Sequence, residues 1–218
     1  MLEFVEEEHL YLLDGVIIPS VSQILHYLFK DKYKDIPESV LSAKARYGTT
    51  IHESIENYEK GIELPVLDYI QKASLNQYIK IKQENNIKVL DQEQMIHYKD
   101  KYAGRFDMIA KVGNDTCLCD IKTTAELDIE YLSWQLSLYE YAYGKKFDKL
   151  YAIWLPKREL GKLVEIKRKE EKEIMDLIEE YEGEIEEEEE KFINDYPEEE
   201  YDRERFLEKK YGSEENNE

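Results

Sequence analysis

Cysteine and proline are scarce in this chain of 218 residues, which has two cysteines, five prolines and nine glycines, and its basic residues are outnumbered by acidic ones. Two thiols, Cys117 and Cys119, cannot staple a small secreted scaffold, nor supply the four ligands of an iron–sulfur cluster. A reduced, cytosolic compartment is the expectation. No run of 18 apolar residues exists, so no membrane span is expected. The opening Met1-Leu2-Glu3-Phe4-Val5-Glu6-Glu7-Glu8 is acidic where a signal peptide would be basic, which argues against export. Thirty Lys+Arg face 50 Asp+Glu, a net charge of −20, so a grip on nucleic acid through total charge is excluded. Internal repeats and low-complexity linkers are absent as well.

What is present suffices for a core, since 42% of residues are apolar. The charge is lopsided. Residues 1–165 carry 21 basic and 27 acidic residues, whereas residues 166–218 carry 9 and 23. The body is therefore only mildly negative, and local potential governs what it binds. The composition divides the chain into a domain over residues 1–166 and an acidic helical extension over 167–218. That extension is expected to be packed on the core or partly mobile. Its Glu186–Glu190 run reads as a solvated face or frayed coil.

Short strands are expected at Phe4-Val5, Leu10–Leu13 and Val16–Ile18, with Asp14-Gly15 as a turn. A helix should run from Pro19-Ser20 to Leu28, with Ser20 and Gln23 at capping-box spacing. Further helices are expected at about residues 42–58 (ending at Gly61), 65–84 and 128–143. Strands are expected at about 88–98, 102–111, 115–122, 150–155 and 162–166, and a helix at 169–181. This order gives an α/β fold, a central mixed sheet flanked by helices.

The chemistry concentrates between Glu93 and Tyr139. A hairpin centred between Gly113 and Asn114 would set Asp107 opposite Asp120, with Cβ atoms about 5 Å apart. Alternation then groups Arg105 with Asp107 and Lys122 with Asp120, while Cys117, Cys119 and Ile121 face the other way. Like charges placed directly opposite destabilise a sheet unless one is protonated or a cation lies between them. Two carboxylates plus waters suit Mg²⁺, and Lys122 beside them could orient a water or stabilise charge on a phosphate. The plain alternative is a surface hairpin with an ordinary charge ladder.

Gly104-Arg105-Phe106-Asp107, Asp120-Ile121-Lys122 and Gln135-x-x-x-Tyr139 together resemble the PD-(D/E)XK nuclease superfamily, in its RecB-like and phage-exonuclease branch. Gly48-Thr49-Thr50-Ile51-His52 is similar to the helical histidine motif of that group. Glu93 is similar to the acid preceding its aspartate strand, and residues 9–25 to the start of phage-encoded members. The likeness covers roughly residues 9–155.

It implies a restriction-endonuclease-like core and a Mg²⁺-dependent deoxyribonuclease, with Mn²⁺ able to substitute. The expected activity is an exonuclease in phage or mobile-element recombination. Asp107 and Asp120 would bind the metal, with His52 as a further ligand and the Ile121 carbonyl completing the shell. Glu93 would sit behind them or hold a second metal. Lys122 would activate water, and Gln135 and Tyr139 would brace the site or touch the DNA backbone. Arg105, Lys44, Arg46, Lys99 and Lys101 would form a local basic rim for DNA. The implied partners are DNA and a single-strand annealing recombinase or single-strand-binding protein, and an oligomer fits the likeness. The cluster-bearing branch is not matched, for want of cysteines.

Each residue also has a structural reading. His52 beside Ile51 and Ile55 reads as a core histidine, Gln135 and Tyr139 as helix packing, Glu93 and the lysines as solvated charge. On that reading the chain is a non-catalytic DNA- or protein-binding module with the acidic tail as its docking element.

Overall fold

Glycine and asparagine-like turn chemistry sets the first element of the structure. The computed structural model describes residues 1–6, 8–30, 32, 38–195 and 203–211. Strands β1 (Leu2–Val5), β2 (Leu10–Leu13) and β3 (Val16–Ile18) form a three-stranded antiparallel sheet. Asp14 and Gly15 both take positive φ (52° and 84°), the pair of left-handed residues that a tight hairpin turn needs.

Helix α1 (Val21–Leu28) follows with the expected capping box. The Ser20 hydroxyl accepts from Gln23 N at 3.1 Å, and Gln23 Oε1 accepts from Ser20 N at 2.6 Å. A bridge from Ser20 to Ala103 and a 2.8 Å bond from Ala103 N to Pro19 O fasten this region to the main sheet.

Helix α2 (Glu38–Lys60) and helix α3 (Tyr69–Glu84) pack together. Tyr78 donates to Glu59 at 2.9 Å, and Tyr47 and Ser74 share a 2.8 Å bond. Helix α3 starts later than its proline suggested. Asp68 and Gln71 form a second capping box, and residues 65–67 stay outside the helix.

The main sheet runs β4 (Ile87–Tyr98), β5 (Tyr102–Val112), β6 (Asp115–Lys122), β7 (Lys149–Trp154) and β8 (Lys162–Ile166), neighbours in chain order. All pairs are antiparallel except β6 and β7, which are parallel because helix α4 (Ile129–Tyr143) crosses over between them. Gly144 caps α4 at φ 73°.

Apolar side chains fill both faces of this sheet. On one, Ile51 and Ile55 of α2 and Leu75, Tyr78 and Ile81 of α3 bury Met108, Ala110, Cys117, Cys119, Ile121 and Ile153. On the other, α1 and α4 lie over Phe106, Ile109, Leu118 and Ala152. Each fully buried Leu or Ile contributes about 1.5–3 kcal/mol. Burial pushes the Cys117 thiol up to about 11 and the Cys119 thiol higher, so both stay protonated packing groups.

Helix α5 (Glu171–Asp195) continues through the glutamate run, and helix α6 (Arg203–Tyr211) follows it. Helix α6 falls within the helical extension expected over 167–218. Ile174, Leu177, Ile178, Tyr181 and Ile185 of α5, with Phe206, Leu207 and Tyr211 of α6, belong to the same apolar cluster as α1 and α4. Glu186, Glu187, Glu188 and Glu190 face water. No helix among the described residues is long and apolar enough to cross a membrane.

Candidate functional site

The site arises where the sheet loses its regular alternation. From Met108↔Cys119 to Val112↔Asp115 the β5–β6 hairpin holds the register that a Gly113–Asn114 turn requires. The ladder stops one pair short of Asp107 and Asp120. There the Asp107 carboxylate takes over the pairing, and its Oδ2 accepts the Ile121 N–H at 2.5 Å.

The two faces also exchange residues at this point. Tyr102 bonds to the Leu138 carbonyl and Phe106 meets the Tyr143 ring, both on the α4 side. Met108 and Ala110 belong to the α2–α3 side, while Ile109 returns to the α4 side. The β4–β5 register is the same on both sides of this point, so neither strand gains a residue over the other, and the alternation breaks on both strands at once; the register shift of β4 lies further along, between Val89 and Asp91. Asp107 stands at that break. On β4 the residue between the pairs Gln92↔Met108 and Gln94↔Phe106 is Glu93, with φ 51°. A left-handed glutamate costs about 1–3 kcal/mol, which the surrounding sheet must offset.

This break turns Asp107 and Glu93 toward α2, where Ile51 and Ile55 anchor the helix and His52 points back at the sheet. His52 Nδ1 lies 3.2 Å from Asp107 Oδ1, and Nε2 lies 3.1 Å from the Ile121 carbonyl oxygen. One ligand atom each from His52, Glu93 and Asp107 falls within 4.8 Å of the others. The Ile121 carbonyl adds an oxygen at the same place. A nitrogen, two carboxylates and a carbonyl suit Mn²⁺ or Mg²⁺, so the donor set fits such an ion.

Protonation follows from the charges. Burial works against a charged His52, but Asp107 and Asp120 outweigh it and raise the imidazole to about 8. The doubly protonated ring can then donate to Asp107 and to the Ile121 carbonyl, the oxygens a cation would use. For Asp107, burial is opposed by His52 and Lys122, and its carboxyl is held below the usual range. Burial, then the Asp107 charge, lift Glu93 to about 7 against the pull of Arg105.

Asp120 departs from its expected place. It does not pair with Asp107 across the ladder and is not one of the three clustered ligands. Regular alternation on β6 leaves it with Lys122, whose Nζ lies 2.7 Å from Asp120 Oδ2. That oxygen is buried and accepts no well-formed hydrogen bond among the described residues, so ion pairing alone holds it. Burial lifts Asp120 to about 6 despite Lys122, with the Asp107 charge adding to the rise. Burial opposes the Lys122 charge, but Asp120 and Asp107 hold its pKa above the ordinary value. The Ile121 peptide thus stands between two acidic groups, His52–Glu93–Asp107 and Asp120–Lys122. Strict period two could not foresee the first group, because it depends on the break of alternation at Glu93 and Asp107.

Gln135 and Tyr139 are buried on α4, with Gln135 Nε2 donating to the Tyr139 hydroxyl at 3.3 Å. A Cβ on Gly104 would come within 2.7 Å of Tyr139 Cε1, so this glycine lets the ring lie against β5. Arg105 is 43% exposed and its Nε lies 3.1 Å from Glu93 Oε2.

The expected basic rim is only partly assembled. Lys44 and Arg46 are exposed on α2. At 3.6 residues per turn they stand ~80° and ~120° around the axis from His52, on opposite sides of it. Lys99 lies over the Tyr98 ring at 5.0 Å. Lys101 is a correction to that rim, because Glu182 of α5 takes it as an ion-pair partner.

No family model and no curated protein matches this sequence. Among solved structures, the crystal structure of SSO0001 is 16% identical, with 73% of this chain and 72% of that chain covered, at a TM-score of 0.43.

Proposed function

We propose that this chain is a divalent-cation-dependent nuclease that hydrolyses DNA phosphodiester bonds, acting from strand ends as an exonuclease. The observation that supports this is the convergence of His52, Glu93, Asp107 and the Ile121 carbonyl beside a buried Asp120–Lys122 pair. His52, Glu93 and Asp107 would hold the ion, with Mg²⁺ or Mn²⁺ as the candidates. When bound, it supplies positive charge for the phosphate and acidifies water.

The chain's own groups carry the rest. Lys122, kept charged by Asp120 and Asp107, would orient the attacking water or meet the charge that develops on the phosphate. A bond forms from the water oxygen to phosphorus and the ester P–O bond breaks. The attacking water gives up one proton to solvent, and the leaving oxygen takes one up from solvent. Asp107 does two jobs, since its second oxygen fixes the Ile121 peptide. Tyr139, held by Gln135, supports β5 at Gly104 beneath the site. Lys44 on α2 and Arg105 on β5 are the basic groups for the strand.

The test is degradation of end-labelled linear duplexes and closed circles with Mg²⁺ or Mn²⁺, by wild type and by Asp107→Ala, Asp120→Ala and Lys122→Ala. Each variant should lose about 10²-fold or more in rate, the scale of one transition-state contact. Linear DNA should be shortened while circles survive. Wild-type rates in all three folded variants would refute the site, and cut circles would refute the end preference.

A further inference from the structure

Arg105 stands beside the His52–Glu93–Asp107 cluster, and Glu93 already answers its charge. Its Nε lies 3.1 Å from Glu93 Oε2. The guanidinium also lies 5.3 Å from the centre of the Phe4 ring on β1. Phe4 is fixed in turn by Tyr11, at 4.8 Å between ring centres, and by His9, at 5.8 Å. Arg105 thus has two anchors of different kind. The aromatic one holds it beside the cluster without neutralising it. The carboxylate one neutralises it, using a residue whose left-handed backbone turns it toward His52 and Asp107.

Glu93 cannot serve both neighbours equally. A divalent cation among His52, Glu93 and Asp107 carries twice the charge of a guanidinium. A half-exposed ion pair is weak enough to be exchanged for it. Phe4 would then keep the freed guanidinium in place, with its planar fork of donors open to a phosphate.

We infer that Arg105 is a phosphate-binding residue held in reserve by Glu93, and that it is released to a nucleic-acid phosphodiester when Glu93 turns to a divalent cation. This rests on the cation-dependent reading above and adds to it a required order. Cation and strand bind cooperatively, and the coupling is reciprocal.

The test uses the full chain, a fluorescein-labelled duplex oligonucleotide followed by anisotropy in EDTA or Ca²⁺, and Mn²⁺ binding followed by calorimetry. Wild type should bind the oligonucleotide more tightly in Ca²⁺ than in EDTA. Glu93→Gln, whose neutral amide releases Arg105 without a cation, should bind it about fivefold more tightly than wild type in EDTA. That gain should vanish in Glu93→Gln/Arg105→Ala. Arg105→Ala alone should bind Mn²⁺ about fivefold more tightly than wild type, because Glu93 no longer has a rival partner. No gain in Glu93→Gln, or a gain that survives in the double variant, overturns the inference. If oligonucleotide and Mn²⁺ still bind wild type in that case, the nuclease reading stands without it. If neither binds under any condition, both fall.

Discussion

Two regions of this molecule are rich in acid, and they treat it in opposite ways. Around β4, β5 and β6, Glu93, Asp107 and Asp120 are drawn together and away from water beside His52 and Lys122. Along α5 the glutamates fan outward, and the helix stays in place through an apolar stripe on its other side. Most of the −20 charge resides in the second region and most of the chemistry in the first. Carboxylates become reactive where burial and convergence make them compete for few counter-charges, not where they are numerous.

The contrast can be broken most forcefully at the stripe. Leu177→Ala should cost about 2–5 kcal/mol of stability in a denaturant titration, because it empties a buried position of α5. A loss under about 1 kcal/mol would mean that charge, not packing, holds the helix.

Next in size is the ion. Mn²⁺ at a hundredfold excess over its Kd should add about 2.7 kcal/mol. That corresponds to a rise in melting temperature of roughly 5–10 °C for a chain of this length. Asp107→Ala should abolish the shift. An equal shift in that variant would move cation binding to the α5 glutamates.

Proton competition is smaller. His52 titrates near 8 because its charged form is favoured in the fold, so below that value an ion must displace a proton. Mn²⁺ affinity should therefore rise about fivefold from pH 7 to 8 through His52 and level off above. Below 7 the protonation of Glu93 steepens the fall. Calorimetry at a series of pH values checks this, and a flat profile would remove His52 and Glu93 from the ligand set.

The smallest effect is expected on the outward face. Glu187→Gln or Glu190→Gln should change stability by no more than about 0.5 kcal/mol and leave Mn²⁺ affinity unaltered.

Much of the fold was legible in the residues. The Asp14-Gly15 turn, the Ser20–Gln23 capping box and the Gly113 hairpin all follow from local chemistry. The Asp68–Gln71 box that delays α3 was equally readable, but Pro65 drew the boundary forward. The helical character of the C-terminal region was legible in its composition, but the bounds of α6 were not, because its apolar residues Phe206, Leu207 and Tyr211 are few and gain meaning only against α5.

The site was half legible. The meeting of Lys122 with Asp120 follows from alternation, and that of His52 with Asp107 and Ile121 lies where the motif likeness directs attention. The closeness of Glu93 to Asp107 and His52 depends on a break of alternation at the left-handed Glu93. No rule of period two reports one in advance. The ion pair that takes Lys101 out of the rim was likewise invisible, since Glu182 lies 81 positions further along the chain.

The bond from the Ile121 amide to the Asp107 carboxylate has a mechanical meaning. At that one stitch the sheet is sewn with a side chain, so a rotamer change there can unpick the seam between β5 and β6 while every main-chain rung below it stays closed.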